Sequence, residues 1–118
     1  MISLHGNTAA CAKFDGVTIT EFGNDFMTVY AQLFIPIPSI RSVALINSRT
    51  FAFCCFGTLT TSPHTLHIQS FEWDVPRQKE YPTRHERTLK GRKTTVQLND
   101  EVVSLRYANG KLFVLTRH

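Results

Sequence analysis

The sequence has few of the features that mark secreted or membrane-spanning proteins. Only three of its 118 residues are cysteine, a small and uneven number that does not make a disulfide framework. This favours an intracellular compartment, cytoplasmic or nuclear. No apolar run approaches the roughly 18 residues that span a membrane, because Pro36 and Pro38 interrupt VYAQLFIPIP (29–38). The first residues lack the basic and apolar regions of a signal peptide. The sequence therefore predicts no membrane partner.

Signatures of catalysis and of bound cofactors are missing as well. There is no Gly-x-Ser-x-Gly elbow, and the six glycines are scattered as turn residues instead of forming a phosphate-binding loop. Cys54 and Cys55 lie in an apolar run and, as strand neighbours, point to opposite faces, which does not suit a shared metal site with His64 and His67. We therefore predict no enzyme, no catalytic residue, no cofactor and no metal.

Charge is sparse and is concentrated in one segment. Charged residues make up 19% of the chain, against 42% hydrophobic residues and nine phenylalanines, which favours a single folded domain over residues 1–118. Residues 77–93 (RQKEYPTRHERTLKGRK) hold seven of the thirteen Lys and Arg against two Glu. Pro76 and Pro82 block ladder pairing. We therefore predict an exposed basic loop over residues 76–93.

Hydrophobic periodicity is typical of strands almost throughout. Alternating or apolar runs occur at VTITEF (17–22), RTFAFCCF (49–56), TLHIQSFEW (65–73), TTVQL (94–98) and VVSLRY (102–107). Turn pairs separate such runs at Asp15-Gly16, Asn47-Ser48 and Asn109-Gly110. The sequence predicts an all-β fold of antiparallel sheets.

The strand pattern repeats along the chain. Residues 40–53 (IRSVALINSRTFAF) align without a gap onto residues 102–115 (VVSLRYANGKLFVL), so that Ser42 meets Ser104 and the turn residue Asn47 meets Asn109. A weaker copy opens the chain, with a turn at Gly6-Asn7. We interpret these copies as four-stranded units over residues 1–38 and 39–99, followed by a partial unit over 100–118.

Four short antiparallel strands per unit, with a Trp-Asp pair (Trp73-Asp74) closing the third, resemble the blade of a WD40-type β-propeller. The first copy has Glu21-Phe22 at the equivalent place. Propellers close with about four to eight blades, whereas this pattern supplies two units and a final hairpin, ten strands in all. The resemblance therefore implies an incomplete propeller. The alternative is a small β-sandwich or barrel, for which this number of strands is self-sufficient.

The resemblance implies a non-catalytic scaffold for protein–protein interaction within a larger complex, with a protein partner or an additional subunit completing the sheet. Two prolines in LFIPIPSI (33–40) predict an edge strand or a connecting segment, whose apolar side chains a partner could cover. The alternative function is nucleic-acid binding through residues 77–93, by neutralising phosphates. The candidate partner-binding residues are Arg77, Lys79, Arg84, Arg87, Lys90, Arg92, Lys93, Phe34 and Ile35.

Overall fold

The computed structural model describes residues 2–72, 84–86 and 91–118. Within these residues the protein is built from β-strands joined by turns, which confirms the all-β prediction. The strands are β1 (Ile2–His5), β2 (Thr8–Lys13), β3 (Gly16–Phe22), β4 (Val29–Pro36), β5 (Ile40–Asn47), β6 (Thr50–Cys55), β7 (Thr65–Ser70), β8 (Arg84–Glu86), β9 (Lys93–Gln97), β10 (Val102–Ala108) and β11 (Lys111–Thr116).

The first sheet has the order β1-β2-β3-β4-β8. Its first four strands form an antiparallel meander, and β8 pairs with β4 in parallel. Gly6 has a φ of 57° in the turn between β1 and β2, a conformation that glycine adopts without strain. Gly16 begins β3 opposite Pro36, where an added Cβ would collide with the Ile35 carbonyl and the Phe34 ring. A close backbone approach, and not a turn, requires this glycine.

The middle sheet has the order β5-β6-β7-β9, and the terminal hairpin consists of β10 and β11. All pairings in both are antiparallel. The hairpin turns at Asn109-Gly110, as predicted, and both residues have positive φ, 53° and 74°. Except for β8, the strands of the first sheet thus fall in residues 2–36, those of the middle sheet in 40–97 and those of the hairpin in 102–116.

The three sheets stack face to face, with the middle sheet covered on both sides. Successive residues of a strand point to opposite faces, and β5 uses both faces: Val43 and Leu45 join the core with the first sheet, whereas Ala44 joins the core with the hairpin. The larger core, between the first and middle sheets, comprises Ala10, Val17, Ile19, Leu33, Ile35, Ile37, Ile40, Val43, Leu45, Phe51, Phe53, Cys55 and Phe71. The smaller core comprises Ala44, Ala52, Cys54, Leu66, Val102 and Leu105.

A polar contact from the first strand of one sheet to the first strand of the next accompanies each apolar core. The Leu45 amide donates to the Ser3 hydroxyl at 2.8 Å, and the Leu105 amide donates to the Ser42 hydroxyl at 3.0 Å. The middle sheet and the hairpin are also joined by Glu101, whose carboxylate pairs with Arg41 at 2.9 Å. The stacking is therefore fixed in register as well as by burial.

Several local predictions need correction. The basic segment is not one loop, since residues 84–86 form β8 and Lys93 begins β9. The segment 33–40 does not supply an edge strand, because β4 pairs with both β3 and β8 before Pro36 ends it. Its second half is the connecting segment that the prolines also allowed, because residues 37–39 join β4 to β5 of the next sheet. Phe71 and Glu72 follow β7 instead of extending it. The Trp73-Asp74 pair lies outside the described residues.

The turns near Asp15 and Asn47 are each displaced by one residue, because Gly16 belongs to β3 and Asn47 still belongs to β5. The interpretation of the three sheets as blades, and the sandwich or barrel alternative, both stay predictions. The described residues form neither a closed ring nor a closed barrel.

Candidate functional site

The candidate basic residues are only partly placed by the structure. Arg77, Lys79, Arg87 and Lys90 lie outside the described residues, and Arg84 lies in β8. Arg92 and Lys93 are exposed where the chain joins the middle sheet. The Arg92 backbone N–H donates to the Ser70 hydroxyl at 2.8 Å, and its carbonyl accepts the Ser70 N–H at 3.0 Å. These two cations are therefore held at a sheet margin. Whether they contact a partner stays a prediction.

Phe34 and Ile35 lie inside the protein. They are 7% and 1% exposed, and Ile35 belongs to the larger core. They offer little surface to another chain in this fold: Ile35 packs toward the middle sheet, whereas Phe34 points to the opposite face of β4 and is buried there too. Their proposed contact with a partner stays a prediction without a free surface to support it.

A small cluster of side chains links β6, β7 and β9. The His67 ring stacks on Phe53 with centroids 4.5 Å apart and an interplanar angle of 7°, and the Lys93 ammonium lies 5.7 Å from the Phe53 centroid. Burial lowers the pKa of His67 below its ordinary value, and the Lys93 charge lowers it further. His67 Nδ1 is buried and has no hydrogen-bond partner among the residues that the structure describes. The imidazole is therefore held neutral, as a packing group beside an open cleft that Cys55, Thr61 and Lys93 also line.

The cysteine thiols of β6 are unsuited to nucleophilic chemistry at neutral pH. Burial raises the pKa of Cys54 to about 11, with a smaller contribution from Cys55, and burial also raises the pKa of Cys55. A thiol attacks as its thiolate, so both remain protonated. Cys54 and Cys55 belong to different cores, on opposite faces of β6, as their adjacency predicted. No cluster of three metal-ligating side chains occurs within residues 2–72, 84–86 and 91–118.

Two exposed apolar surfaces lie at the ends of the stack. We call the first the rear face, formed by Ile2 and Leu4 on β1, which are 68% and 69% exposed. We call the second the front face, formed by Phe113 and Leu115 on β11, which are 53% and 61% exposed. On β11 the alternate residues Leu112 and Val114 pack toward the middle sheet, so Phe113 and Leu115 point away from the stack. Each end of the stack thus presents apolar side chains to solvent.

The first strands of the three sheets also line a common groove of about 350 Å³. It is bordered by the β1 segment Ile2–Leu4, by Val43 of β5, and by the β10 segment Ser104–Tyr107. Side by side in this way, β1, β5 and β10 form one edge of the stack, and the outer strands of each sheet extend away from it.

Sequence reasoning missed the rear face, because β1 is only four residues long and its periodicity was too short to read. The signal that could have found it is the serine near the start of each first strand, Ser3 in β1, Ser42 in β5 and Ser104 in β10. No helix within the described residues is long and apolar enough to cross a membrane. No protein-family model matches this sequence, and no curated protein matches it significantly.

Proposed function

We propose that this protein is a non-catalytic interaction module that acts within a larger assembly by stacking its sheets against those of a partner. The observation that carries the proposal is the pair of exposed apolar faces, Ile2 with Leu4 and Phe113 with Leu115, at the two ends of a stack of sheets. Exposed apolar patches on soluble proteins often mark interaction sites. A partner sheet would bury these side chains as the middle sheet buries those of its neighbours.

The edge-on arrangement of β1, β5 and β10 along one groove supports the same proposal. In a blade-like stack, each sheet presents its first strand to a common axis and packs its faces on the sheets before and after it. The hairpin leaves Phe113 and Leu115 uncovered, and the first sheet leaves Ile2 and Leu4 uncovered at its β1 edge, although Thr18 on that same face is buried. The proposed role is therefore that of a partial stack, which further sheets from a partner extend.

The experiment is site-specific photo-crosslinking in the cells that make the protein. A photoreactive amino acid is placed at Phe113, at Leu4 or at Leu59, a fully exposed side chain outside both faces that serves as the matched control. We expect crosslinked protein adducts from positions 113 and 4 and none from position 59. Equal adducts from all three positions, or none from 113 and 4, would refute the proposal.

A further inference from the structure

Three serines occupy equivalent places in the three sheets. Ser3, Ser42 and Ser104 each lie in the first strand of their sheet, and a register shift precedes both Ser42 and Ser104 in the pairing with the next strand. Ser3 and Ser42 each accept an N–H from the first strand of the following sheet. Ser104 is half-buried at the front of the hairpin, the last sheet of the stack. It is placed to accept an N–H from a sheet beyond it.

The residue after each serine points the opposite way, toward the preceding sheet. Val43 is 1% exposed against the first sheet and Leu105 is 5% exposed against the middle sheet. Leu4, at the same place in β1, is 69% exposed. Ser104 at the front of the hairpin is therefore equivalent to Ser3 and Ser42, which contact the following sheet. Leu4 at the rear of β1 is equivalent to Val43 and Leu105, which contact the preceding sheet. Each end displays the half of the interface that the other lacks.

We infer that a second copy of this chain docks head to tail, the front face of one copy (Phe113 and Leu115) packing, with Ser104 beside it, on the rear face of the next (Ile2 and Leu4). This inference rests on the proposed function and names its partner. The contact would continue the two interfaces already present in the stack, with the Ser104 hydroxyl accepting an N–H of β1 in the other copy. Arg106 and Lys111 near the front face meet no opposing Lys or Arg, because β1 carries none.

An interface between two different faces has a distinct consequence. It is heterologous, so each copy keeps one free face after pairing, and association continues into rings or open chains instead of stopping at a symmetric dimer. A front-to-front or rear-to-rear contact would stop at two copies. The stoichiometry of assembly therefore distinguishes these arrangements.

The test combines two variants that each block one face. Ile2→Glu with Leu4→Glu blocks the rear, Phe113→Glu with Leu115→Glu blocks the front, and Leu59→Glu is the control. Sedimentation velocity is measured over a concentration series, with urea unfolding as a check that each variant is folded, which we expect because all five side chains are exposed. Wild type and Leu59→Glu should grow in mass with concentration beyond the 13.4 kDa monomer.

Each blocked variant alone should remain a monomer, and an equimolar mixture of the two should form a dimer and stop there. Ser104→Ala should weaken wild-type association by about two- to tenfold, the loss of one neutral hydrogen bond. A wild type that stays monomeric at all concentrations would overturn the inference, and so would a blocked variant that dimerises by itself. If the purified chain is monomeric but position 113 crosslinks to a different protein in cells, the inference fails while the proposed function stands. If no adduct forms from either face, the proposed function fails.

Discussion

Replacing Ser42 by alanine tests the polar contact that fixes the register between the middle sheet and the hairpin. The Ser42 hydroxyl is fully buried and accepts the Leu105 N–H at 3.0 Å. The substitution removes a single oxygen atom, so the cavity it creates is small. Its main effect is to leave the buried Leu105 N–H without this acceptor.

A buried donor left unsatisfied costs about 1–3 kcal/mol, a large share of the roughly 5–15 kcal/mol that separates folded from unfolded domains. With a urea dependence of about 1–3 kcal/mol/M for a protein of this size, the unfolding midpoint of Ser42→Ala should fall by about 1 M. The Leu105 amide proton should also exchange faster with solvent, because the contact that protects it is gone.

Urea unfolding measured by fluorescence or circular dichroism gives the first quantity, and hydrogen exchange followed by NMR gives the second. Ser62→Ala is the control, because the exposed Ser62 hydroxyl accepts only the nearby His64 N–H among the described contacts, and it should change stability by less than about 0.5 kcal/mol. If Ser42→Ala is as stable as Ser62→Ala, and the exchange of the Leu105 amide is unchanged, the serine contact does not hold the two sheets together.

Three further predictions concern other parts of the molecule. Burial holds the pKa of His67 below its ordinary value of 6.5, so the folded protein binds fewer protons at this residue than the unfolded chain does. The free energy of unfolding should therefore decline as the pH falls below 6.5. Urea unfolding of His67→Gln should lose this pH dependence, whereas urea unfolding of the exposed control His64→Gln should keep it. Phe51→Ala should lower the free energy of unfolding by about 3–5 kcal/mol, because Phe51 is fully buried between Phe53 and Phe71. Phe113→Ala should change the free energy of unfolding of the monomer by less than about 0.5 kcal/mol. Similar losses for the two variants would contradict the placement of the two rings. If the basic segment binds nucleic acid through about five phosphate contacts, its affinity should fall on the order of 500-fold between about 50 and 200 mM salt. This alternative is eliminated if nucleic-acid binding is unchanged when five residues are replaced together by glutamate: Arg84, Arg87, Lys90, Arg92 and Lys93.

Most strands, though not β8 or its parallel pairing with β4, could be predicted from the sequence because their signals are local. The Asn109-Gly110 turn is an example, since positive φ at both positions requires residue types that the sequence shows directly. The apolar run at 49–56 likewise predicted a buried strand, and β6 is buried on both faces because it lies in the middle of the stack. Periodicity of two and turn chemistry were sufficient for these elements.

The parts that failed depend on neighbours distant in the chain. The prolines at 36 and 38 predicted an edge strand or a connecting segment, and residues 37–39 are a connection. Whether β4 itself lies at an edge depends on β8, which comes about fifty residues later. Pro36 is tolerated because it is the last residue of β4, where the ladder ends. The partner contact at Phe34 and Ile35 stays a prediction. The register places Phe34 and Ile2 on the same face of the first sheet, yet Phe34 is 7% exposed and Ile2 is 68% exposed, a difference that strand periodicity does not indicate.

Cys54 and Cys55 are neighbours in the chain, yet their thiols belong to different interfaces: Cys54 to the core under the hairpin, Cys55 to the core under the first sheet. Both are buried and protonated, so an alkylating reagent reaches each one mainly when its interface opens. The labelling rate of Cys54 thus reports the separation of the hairpin from the middle sheet, and the labelling rate of Cys55 reports the separation of the first sheet from the middle sheet. A stack that comes apart from one end would release one thiol before the other, so two adjacent sulfur atoms record the order in which the layers separate.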